Sequence, residues 1–185
     1  MLQEIVEDTK VGMEKSLQSL DAAFKRIRTG RASPALLDDI RVDYYDNLTP
    51  LTQLASISVE DAKTIAIIPW EKAVVQDIEK AIMESELGLN PATSGDTIRV
   101  ILPDLTEETR KEFIKKARSE AENTKVSLRN VRREGNSQLK EFLKKKEISE
   151  DEERQGEEEI QKLTDLFVGR VNEALSAKEK DLLDF

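Results

Sequence analysis

Three long segments of this chain carry an apolar or small residue at every third or fourth position, the spacing of one helix face. An amphipathic helix exposes this stripe to water unless another element covers it, so it gains its stability mainly from packing. Two of the segments, at about residues 106–146 and 149–182, follow each other, and the third segment opens the chain. Together they predict an elongated antiparallel bundle of three helices.

The three stripes and their end signals define the predicted helices. The first helix is predicted from about Gln3 to Arg28, with Gly30 just after its end and Pro34 beyond. Its stripe contains Ile5, Thr9, Met13, Leu17, Leu20, Phe24 and Ile27. The second stripe contains Ile114, Ala117, Ala121, Thr124, Leu128, Val131, Gly135, Gln138 and Phe142. The third contains Ile160, Leu163, Phe167, Val171, Ala174 and Leu182, and Ser149 with Glu152 predicts a capping box at its start.

Between the first and second helices the period changes from helical to β. Ile40, Val42 and Tyr44 alternate with charged residues, as in a half-buried strand. Short apolar runs at residues 64–68 and 97–102 predict two more strands, and residues 74–82 predict one short helix. This segment therefore predicts a small β/α/β domain.

The order of these elements predicts an α+β chain of two domains. The bundle is discontinuous, with residues 1–30 and 105–185, and residues 31–104 form the inserted domain. Two short crossings join the two parts, and paired short connections are typical of a hinge, although a rigid junction is the alternative. The predicted hinge residues are Gly30, Arg31, Ala32, Ser33, Pro103, Asp104 and Leu105.

Composition excludes much of enzyme chemistry. The sequence has no cysteine and no histidine, which removes thiolate nucleophiles, Ser-His machinery and zinc sites of Cys or His. It also lacks the glycine-rich motifs that cradle nucleotide phosphates. No apolar run approaches a membrane span, and the opening residues mix both signs of charge, unlike a targeting peptide. We therefore expect a cytoplasmic protein, not attached to a membrane, that binds without a cofactor or metal and is not an enzyme.

Charge is segregated within a chain of net charge −9. Residues 106–146 carry a net charge of +6, whereas residues 147–185 carry −8. At 100° per residue the basic side chains form one flank of the second helix, beside its apolar seam. A linear array of Arg and Lys suits a nucleic-acid backbone, although a solvated face paired with the acidic third helix is the alternative.

Two other features receive structural interpretations. The acidic runs at residues 150–153 and 157–159 lack the spacing of an EF-hand, and the first run complements the dipole of a helix N-terminus. Trp70, the sole tryptophan, follows Pro69 at a predicted strand end. We expect it to anchor a core or an interface.

Several short motifs occur along the whole chain in a fixed order and spacing. They are IRTGRASP at 27–34, YY at 44–45, GLNP at 88–91, LTEE at 105–108, RNVRR at 129–133, KKEISED at 145–151 and QKLTD at 161–165. Together these motifs resemble the ribosome recycling factor family. Three departures are a turn at residues 46–48 without glycine, Thr109 in place of a frequent arginine, and the variable segment 69–71. Asn and Asp tolerate left-handed backbone, so a hairpin is still expected at the turn.

This resemblance implies an L-shaped, tRNA-like molecule and a function. Members of the family bind the large ribosomal subunit after termination, with the bundle lying on 23S-type ribosomal RNA. With elongation factor G and GTP they split the ribosome and release mRNA and deacylated tRNA, and the GTPase activity belongs to the elongation factor. The resemblance implies a monomer whose inserted domain meets elongation factor G.

The resemblance also implies site residues. Arginines that match Arg129 and Arg132 face ribosomal RNA in the family, and those that match Arg28 and Arg31 lie in the same end of the bundle. The complete predicted RNA-binding set is Arg132, Arg129, Arg133, Arg28, Arg31, Lys125 and Arg118. The main alternative is a coiled-coil adapter or chaperone without an RNA role, which salt-dependent co-sedimentation with large subunits would distinguish. A second and weaker alternative is an enzyme that uses paired carboxylates, because no carboxylate pair lies at a spacing that would raise the pKa of one of them.

Overall fold

A computed structural model describes residues 1–184 as four helices and six strands. The helices are α1 (Leu2–Arg26), α2 (Val75–Glu84), α3 (Glu107–Lys144) and α4 (Glu150–Asp184). The strands are β1 (Arg41–Tyr44), β2 (Asn47–Pro50), β3 (Ala55–Asp61), β4 (Thr64–Pro69), β5 (Pro91–Ser94) and β6 (Thr97–Ile101). The chain divides into a helical unit, Met1–Ile27 with Lys111–Leu183, and a second unit that contains Arg28–Arg110. The fold is therefore α+β with two units, as the periodicity predicted.

The helical unit packs through close approaches at small residues. Ser16 Oγ of α1 lies 2.8 Å from Ser127 Oγ of α3, and a Cβ atom at Gly135 would lie 2.6 Å from Thr9 Oγ1. Rising numbers on α1 meet falling numbers on α3, so these helices are antiparallel. On α4, Gly156 approaches both α1 and α3 so closely that a Cβ atom there would lie 2.9 Å from Leu139 Cδ1. The three helices thus form one bundle.

The buried stripes follow the predicted ones with shifts in α3 and α4. In α4 the buried residue is Thr164, whereas the predicted Leu163 is half-buried. Of the predicted seam of α3, Ala117, Ala121, Thr124, Leu128 and Gly135 are buried. Beyond Gly135 the buried residue is Leu139, while Gln138 and Phe142 are only half-buried. A straight helix has 3.6 residues per turn, so a seam extended in heptads drifts off the buried face. None of the helices in residues 1–184 is long and apolar enough to cross a membrane.

Helix ends follow the sequence signals at the start of α4 and depart from them at the end of α1. The predicted capping box of α4 is present, with Glu152 N donating to Ser149 Oγ at 3.1 Å and Ser149 N donating to Glu152 Oε1 at 3.4 Å. The expectation that Gly30 follows the end of α1 was wrong. That helix ends at Arg26, and Ile27 is extended, with φ −75° and ψ 115°. Burial of the Ile27 side chain holds it there, at 3% exposure.

The end of α3 is closed by a lysine in a left-handed conformation. Lys146 has φ 60°, and its N–H donates to the Leu143 carbonyl at 2.9 Å. Glu147 N donates to the Phe142 carbonyl at 2.9 Å. This pair of bonds is the Schellman arrangement, in which glycine usually occupies the left-handed position.

The second unit contains a four-stranded sheet, a separate hairpin and α2. The sheet order is β3-β4-β6-β5 with every pair antiparallel, and β1 pairs with β2. The central strand β4 is buried at four successive residues, Thr64–Ile67, as the apolar run predicted. Ile78 and Ile82 of α2 pack into the same core as Val42, Ile65 and Ile98.

The strands β3 and β5 were not predicted from the sequence, and β2 was expected only as the second strand of the hairpin that follows Tyr44. Their residues are mostly exposed, and β3 and β5 form the two edges of the sheet. Edge strands need no alternating apolar pattern, because their partner strand and not their burial holds them. The β1–β2 turn keeps a hairpin without glycine, with Tyr45 at φ 48° and Asp46 at φ 64°, as a two-residue type I′ turn requires.

Candidate functional site

The basic flank of α3 is a stripe of four cations along one side of the helix: Arg118, Lys125, Arg129 and Arg132. Their spacing places them within a sector of about 60°, along roughly 21 Å of helix. Ser127, which contacts Ser16 of α1, lies about 180° around α3 from Arg118. The basic flank therefore lies on the side of α3 away from α1.

Arg129 and Arg132 are the two residues of this flank whose guanidinium groups have no carboxylate partner within residues 1–184. Arg129 is exposed and Arg132 is half-buried beside the seam residue Leu128. Within residues 1–184, neither guanidinium is held by a hydrogen bond or an ion pair. Packing against the seam restricts the stem of Arg132, while its donors are left available to an acceptor outside the chain.

Arg118 and Lys125 have carboxylate partners. Arg118 Nε lies 2.5 Å from Glu179 Oε1 of α4, and Lys125 Nζ lies 3.6 Å from Glu122 Oε1 one turn earlier on α3. Of the basic flank, Arg118 alone pairs with α4 in the described part of the chain. The alternative of pairing with the acidic helix thus applies to this one residue. Each pair joins an exposed side chain to a half-buried one, since Glu179 is 26% exposed and Lys125 is 18% exposed.

Arg133 and Arg31, also in the predicted set, are exposed. Arg133 Nη1 donates to Asn130 Oδ1 at 3.3 Å, three residues earlier on α3. The backbone N–H of Arg31 donates to Thr29 Oγ1 at 3.2 Å, in the first crossing. Arg133 therefore lies beside the basic flank, and Arg31 belongs to the other unit.

Arg28 is engaged inside the second unit. Its Nη1 donates to the Leu87 carbonyl at 3.2 Å and its Nη2 to the Pro103 carbonyl at 3.1 Å. Burial lowers the pKa of the Arg28 guanidinium from its ordinary value. The first crossing is thereby tied to the second, a role for which the sequence contains no signal, because the partners are backbone carbonyls. Contact of Arg28 with RNA stays a prediction.

Several predicted hinge residues are bound to the second unit. Ala32 N donates to the Ala62 carbonyl at 2.7 Å, and Asp104 forms an ion pair with Lys63. The Lys63 ammonium holds the pKa of Asp104 below its usual range. Ser33 Oγ accepts from Ala35 N at 3.3 Å and caps a short 3₁₀ helix. The other four predicted hinge residues are Gly30 and Leu105, which are buried, and Arg31 and Pro103, which are exposed.

Trp70 is not a core residue, contrary to one of the two expectations for it. Its side chain is 66% exposed, and the ring borders a cleft of about 330 Å³ with Tyr44 and Glu71. The sequence signal for this cleft was weak, because Trp70 lies at a strand end beside the charged residues Glu71 and Lys72. The acidic runs likewise form no ligand cluster: in residues 1–184, no group of three or more Asp or Glu is placed to hold a metal ion.

These features define a class: a two-unit α+β protein in which a long helical bundle bears a basic flank and a small β-rich unit is inserted in sequence. Residues 20–183 match the family model described as "Ribosome recycling factor". A protein from Hahella chejuensis named ribosome-recycling factor is 55% identical over 183 residues, covering 99% of each chain. One of that name from a Marinomonas species is 53% identical and covers 100% of both chains.

Solved structures of ribosome recycling factors are also similar to this chain. The solution structure of a ribosome recycling factor is 40% identical, with a TM-score of 0.76, and covers 100% of this chain and 98% of that one. A second structure, also 40% identical and with a TM-score of 0.68, covers 99% of each chain. It is described as models of the T. thermophilus ribosome recycling factor and the E. coli elongation factor G bound to the E. coli post-termination complex. The chain belongs to the ribosome recycling factor family.

Proposed function

We propose that this protein recycles the ribosome after termination. The helical unit binds the large ribosomal subunit through its ribosomal RNA. Together with elongation factor G and GTP, the bound protein splits the ribosome into subunits and releases mRNA and deacylated tRNA. It acts as a monomer in the cytoplasm, by binding and not as an enzyme.

The observation that carries the proposal is the basic flank in a chain of this family. Arg129 and Arg132 offer guanidinium donors that no group in residues 1–184 occupies. A guanidinium matches a phosphate group with two parallel hydrogen bonds, which a carboxylate-paired surface lysine does not offer. A helix of net charge +6 over residues 106–146, in a chain of −9, concentrates attraction for RNA on one element.

The other predicted cations contribute unequally in this proposal. When RNA binds, Lys125 and Arg118 leave their carboxylate partners and contact phosphates instead. Arg133 extends the flank beyond Arg129. Arg31 remains exposed for a contact with RNA. Arg28 contributes through its two carbonyl bonds in the second unit. Hydrogen bonds from a guanidinium to a phosphate are charge-assisted and stronger than neutral ones. Arg129 and Arg132 therefore carry most of the binding energy in this proposal.

The partner protein supplies the chemical energy. A structure similar to this chain is described as models of a ribosome recycling factor and elongation factor G bound to a post-termination complex. In our proposal, GTP hydrolysis occurs on that factor, which pushes the second unit while the helical unit stays on RNA. Residues of the two crossings, such as Gly30 and Leu105, absorb the motion in this proposal. The binding energy of the arginines resists sliding, so that the push strains contacts between the subunits.

Two measurements test the function. The purified protein should co-sediment with large ribosomal subunits, and its affinity should fall as salt rises because bound RNA releases counterions. It should also split post-termination ribosomes when elongation factor G and GTP are both present. Reactions without the factor, or with GDP, serve as controls. Absence of binding to large subunits, with binding to a protein target instead, would favour the adapter alternative.

A further inference from the structure

Trp70 places a large aromatic ring in solvent on a fixed backbone. The backbone N–H of Trp70 donates to the Leu54 carbonyl at 3.1 Å, and the preceding residue, Pro69, is buried at the end of β4. Aromatic residues are only 4% of this chain, so the core uses few of them. Exposed tryptophans of this kind are enriched at the centres of protein interfaces, because they bury a large area with little loss of side-chain freedom.

The ring borders a cleft with an apolar floor and a polar rim. Leu54 and Val74 are buried and form part of the floor, and Tyr44 forms a second aromatic wall. Tyr44 Oη donates to Glu71 Oε1 at 3.0 Å, which orients the carboxylate at the rim. This hydrogen bond raises the pKa of the Tyr44 phenol, so the phenol stays a neutral donor. A volume of about 330 Å³ accommodates one long side chain.

The charge of the surroundings decides which chemistry fits this cleft. Residues 28–110 carry 15 Asp and Glu against 8 Lys and Arg, a net charge of −7. Lys72, beside Glu71 in sequence, lies 3.7 Å from Asp96 Oδ1 and is thus partly neutralised. An acidic unit repels nucleic-acid phosphate, whereas two aromatic walls and a carboxylate attract a Lys or Arg side chain.

We propose that the cleft between Trp70 and Tyr44 receives a Lys or Arg side chain from a basic segment of elongation factor G. The inference rests on the proposed function and names the contact through which the partner engages the second unit. The cation lies over the Trp70 indole and its charge is met by Glu71, while its stem covers the floor of Leu54 and Val74. Contact with RNA is left to the predicted RNA-binding residues, none of which lines this cleft.

The test is a ribosome-splitting assay in which elongation factor G is titrated at saturating GTP. Trp70→Ala and Glu71→Gln should each raise the half-saturating concentration of the factor, by about tenfold for a desolvated cation–π contact. The rate at saturating factor and the affinity for large subunits should stay as in the parent. Trp70→Phe should raise the half-saturating concentration less than Trp70→Ala does, and Glu71→Lys should raise it more than Glu71→Gln does.

Matched controls come from the same unit. Met83→Ala removes a side chain that is also exposed, at 60%, from α2 outside the cleft, and Glu84→Gln removes a carboxylate beside it. Both should behave like the parent, and melting temperatures confirm that each variant is folded.

Three results would overturn the inference. Half-saturating concentrations equal to the parent's would mean that the cleft does not contact the factor. Loss of large-subunit affinity in Trp70→Ala would mean that the cleft faces the ribosome. A parent protein that binds no subunits and splits no ribosomes would remove the proposed function itself, and this result is seen without any variant.

Discussion

At the scale of single residues, two arginines with the same chemistry have different surroundings. Arg132 lies half-buried beside the seam of α3 with no partner in residues 1–184, whereas Arg28 donates to two carbonyls of its own unit. A guanidinium without a partner is available to a ligand, and one bound to carbonyls stabilises the fold. We therefore predict that substitution of Arg132 affects binding and that substitution of Arg28 affects stability.

Arg132→Ala should weaken binding to large subunits by about 1–3 kcal/mol, as loss of a charge-assisted hydrogen bond does. The melting temperature should hardly change, and the salt dependence should flatten because fewer counterions are released. Arg132→Lys should recover only part of the affinity, since lysine lacks the planar fork. Co-sedimentation across a salt titration measures both quantities.

The control for Arg132 is Lys116→Ala, an exposed cation on the same helix about 160° around the helix axis from Arg132. It removes the same charge from the opposite face and should bind nearly as the parent does. If Arg132→Ala binds as tightly as the parent at every salt concentration, Arg132 does not contact RNA.

Arg28→Ala should lower the free energy of unfolding by about 1–3 kcal/mol, because the carbonyls of Leu87 and Pro103 lose their donor. Chemical denaturation measures the loss of unfolding free energy, and hydrogen exchange shows whether the loss lies in residues 28–110. Arg41→Ala is the matched control, since the exposed Arg41 guanidinium donates to the single carbonyl of Asp38 at 3.1 Å. Unchanged stability with weakened ribosome binding would instead support the RNA contact that the family resemblance implies.

At the scale of secondary-structure elements, the joint between α3 and α4 is controlled by two local conformations. Lys146 ends one helix in the left-handed region, and Ser149 begins the next with a capping box. Ile148 between them is buried in a cluster with Ile5, Leu139 and Ile160. Changes at these positions should alter stability without altering the basic flank.

Ser149→Ala should cost about 1 kcal/mol of stability, because the N–H of Glu152 loses its acceptor. The four acidic residues of the first turn interact with the helix dipole and soften this loss. A double-mutant cycle with Glu152→Ala isolates the reciprocal pair, and Ser137→Ala, in the exposed middle of α3, is the control. A melt identical to the parent's would mean that the box contributes nothing.

Lys146→Gly should raise stability by roughly 0.5–1 kcal/mol, since glycine adopts the left-handed conformation without strain, partly offset by its greater freedom in the unfolded chain. The same substitution two residues earlier, Lys144→Gly, should lower stability by about 1 kcal/mol, because Lys144 is the last residue of the helix proper. Denaturation midpoints of the two variants should therefore move in opposite directions. Movement in the same direction would contradict the assignment of the Schellman ending.

At the scale of the whole molecule, the proposed function requires that the second unit moves relative to the helical unit. Gly30→Pro should reduce splitting while leaving large-subunit affinity and the melting temperature near those of the parent, because proline fixes φ in the first crossing. Gly30→Ala restricts the backbone far less and serves as the control. Full splitting activity in a folded Gly30→Pro protein would show that motion at this residue is not needed.

The sequence by itself determined the elements that bury a periodic face. The stripes of α1, α3 and α4, the apolar strand β4 and the Ser149 box are local patterns whose energy comes from neighbours three or four residues apart or from one buried face. The basic flank follows from the same helical geometry. These features were therefore predictable from residue spacing alone.

Only the tertiary structure decided the features that depend on distant backbone and on exposure. The edge strands β3 and β5 are held by their partner strands, so their own sequences need no apolar period. The carbonyls bound by Arg28 and the ion pair of Lys63 with Asp104 join residues far apart in the chain. The exposure of Trp70 depends on what its neighbours leave uncovered, and no spacing in the sequence encodes that.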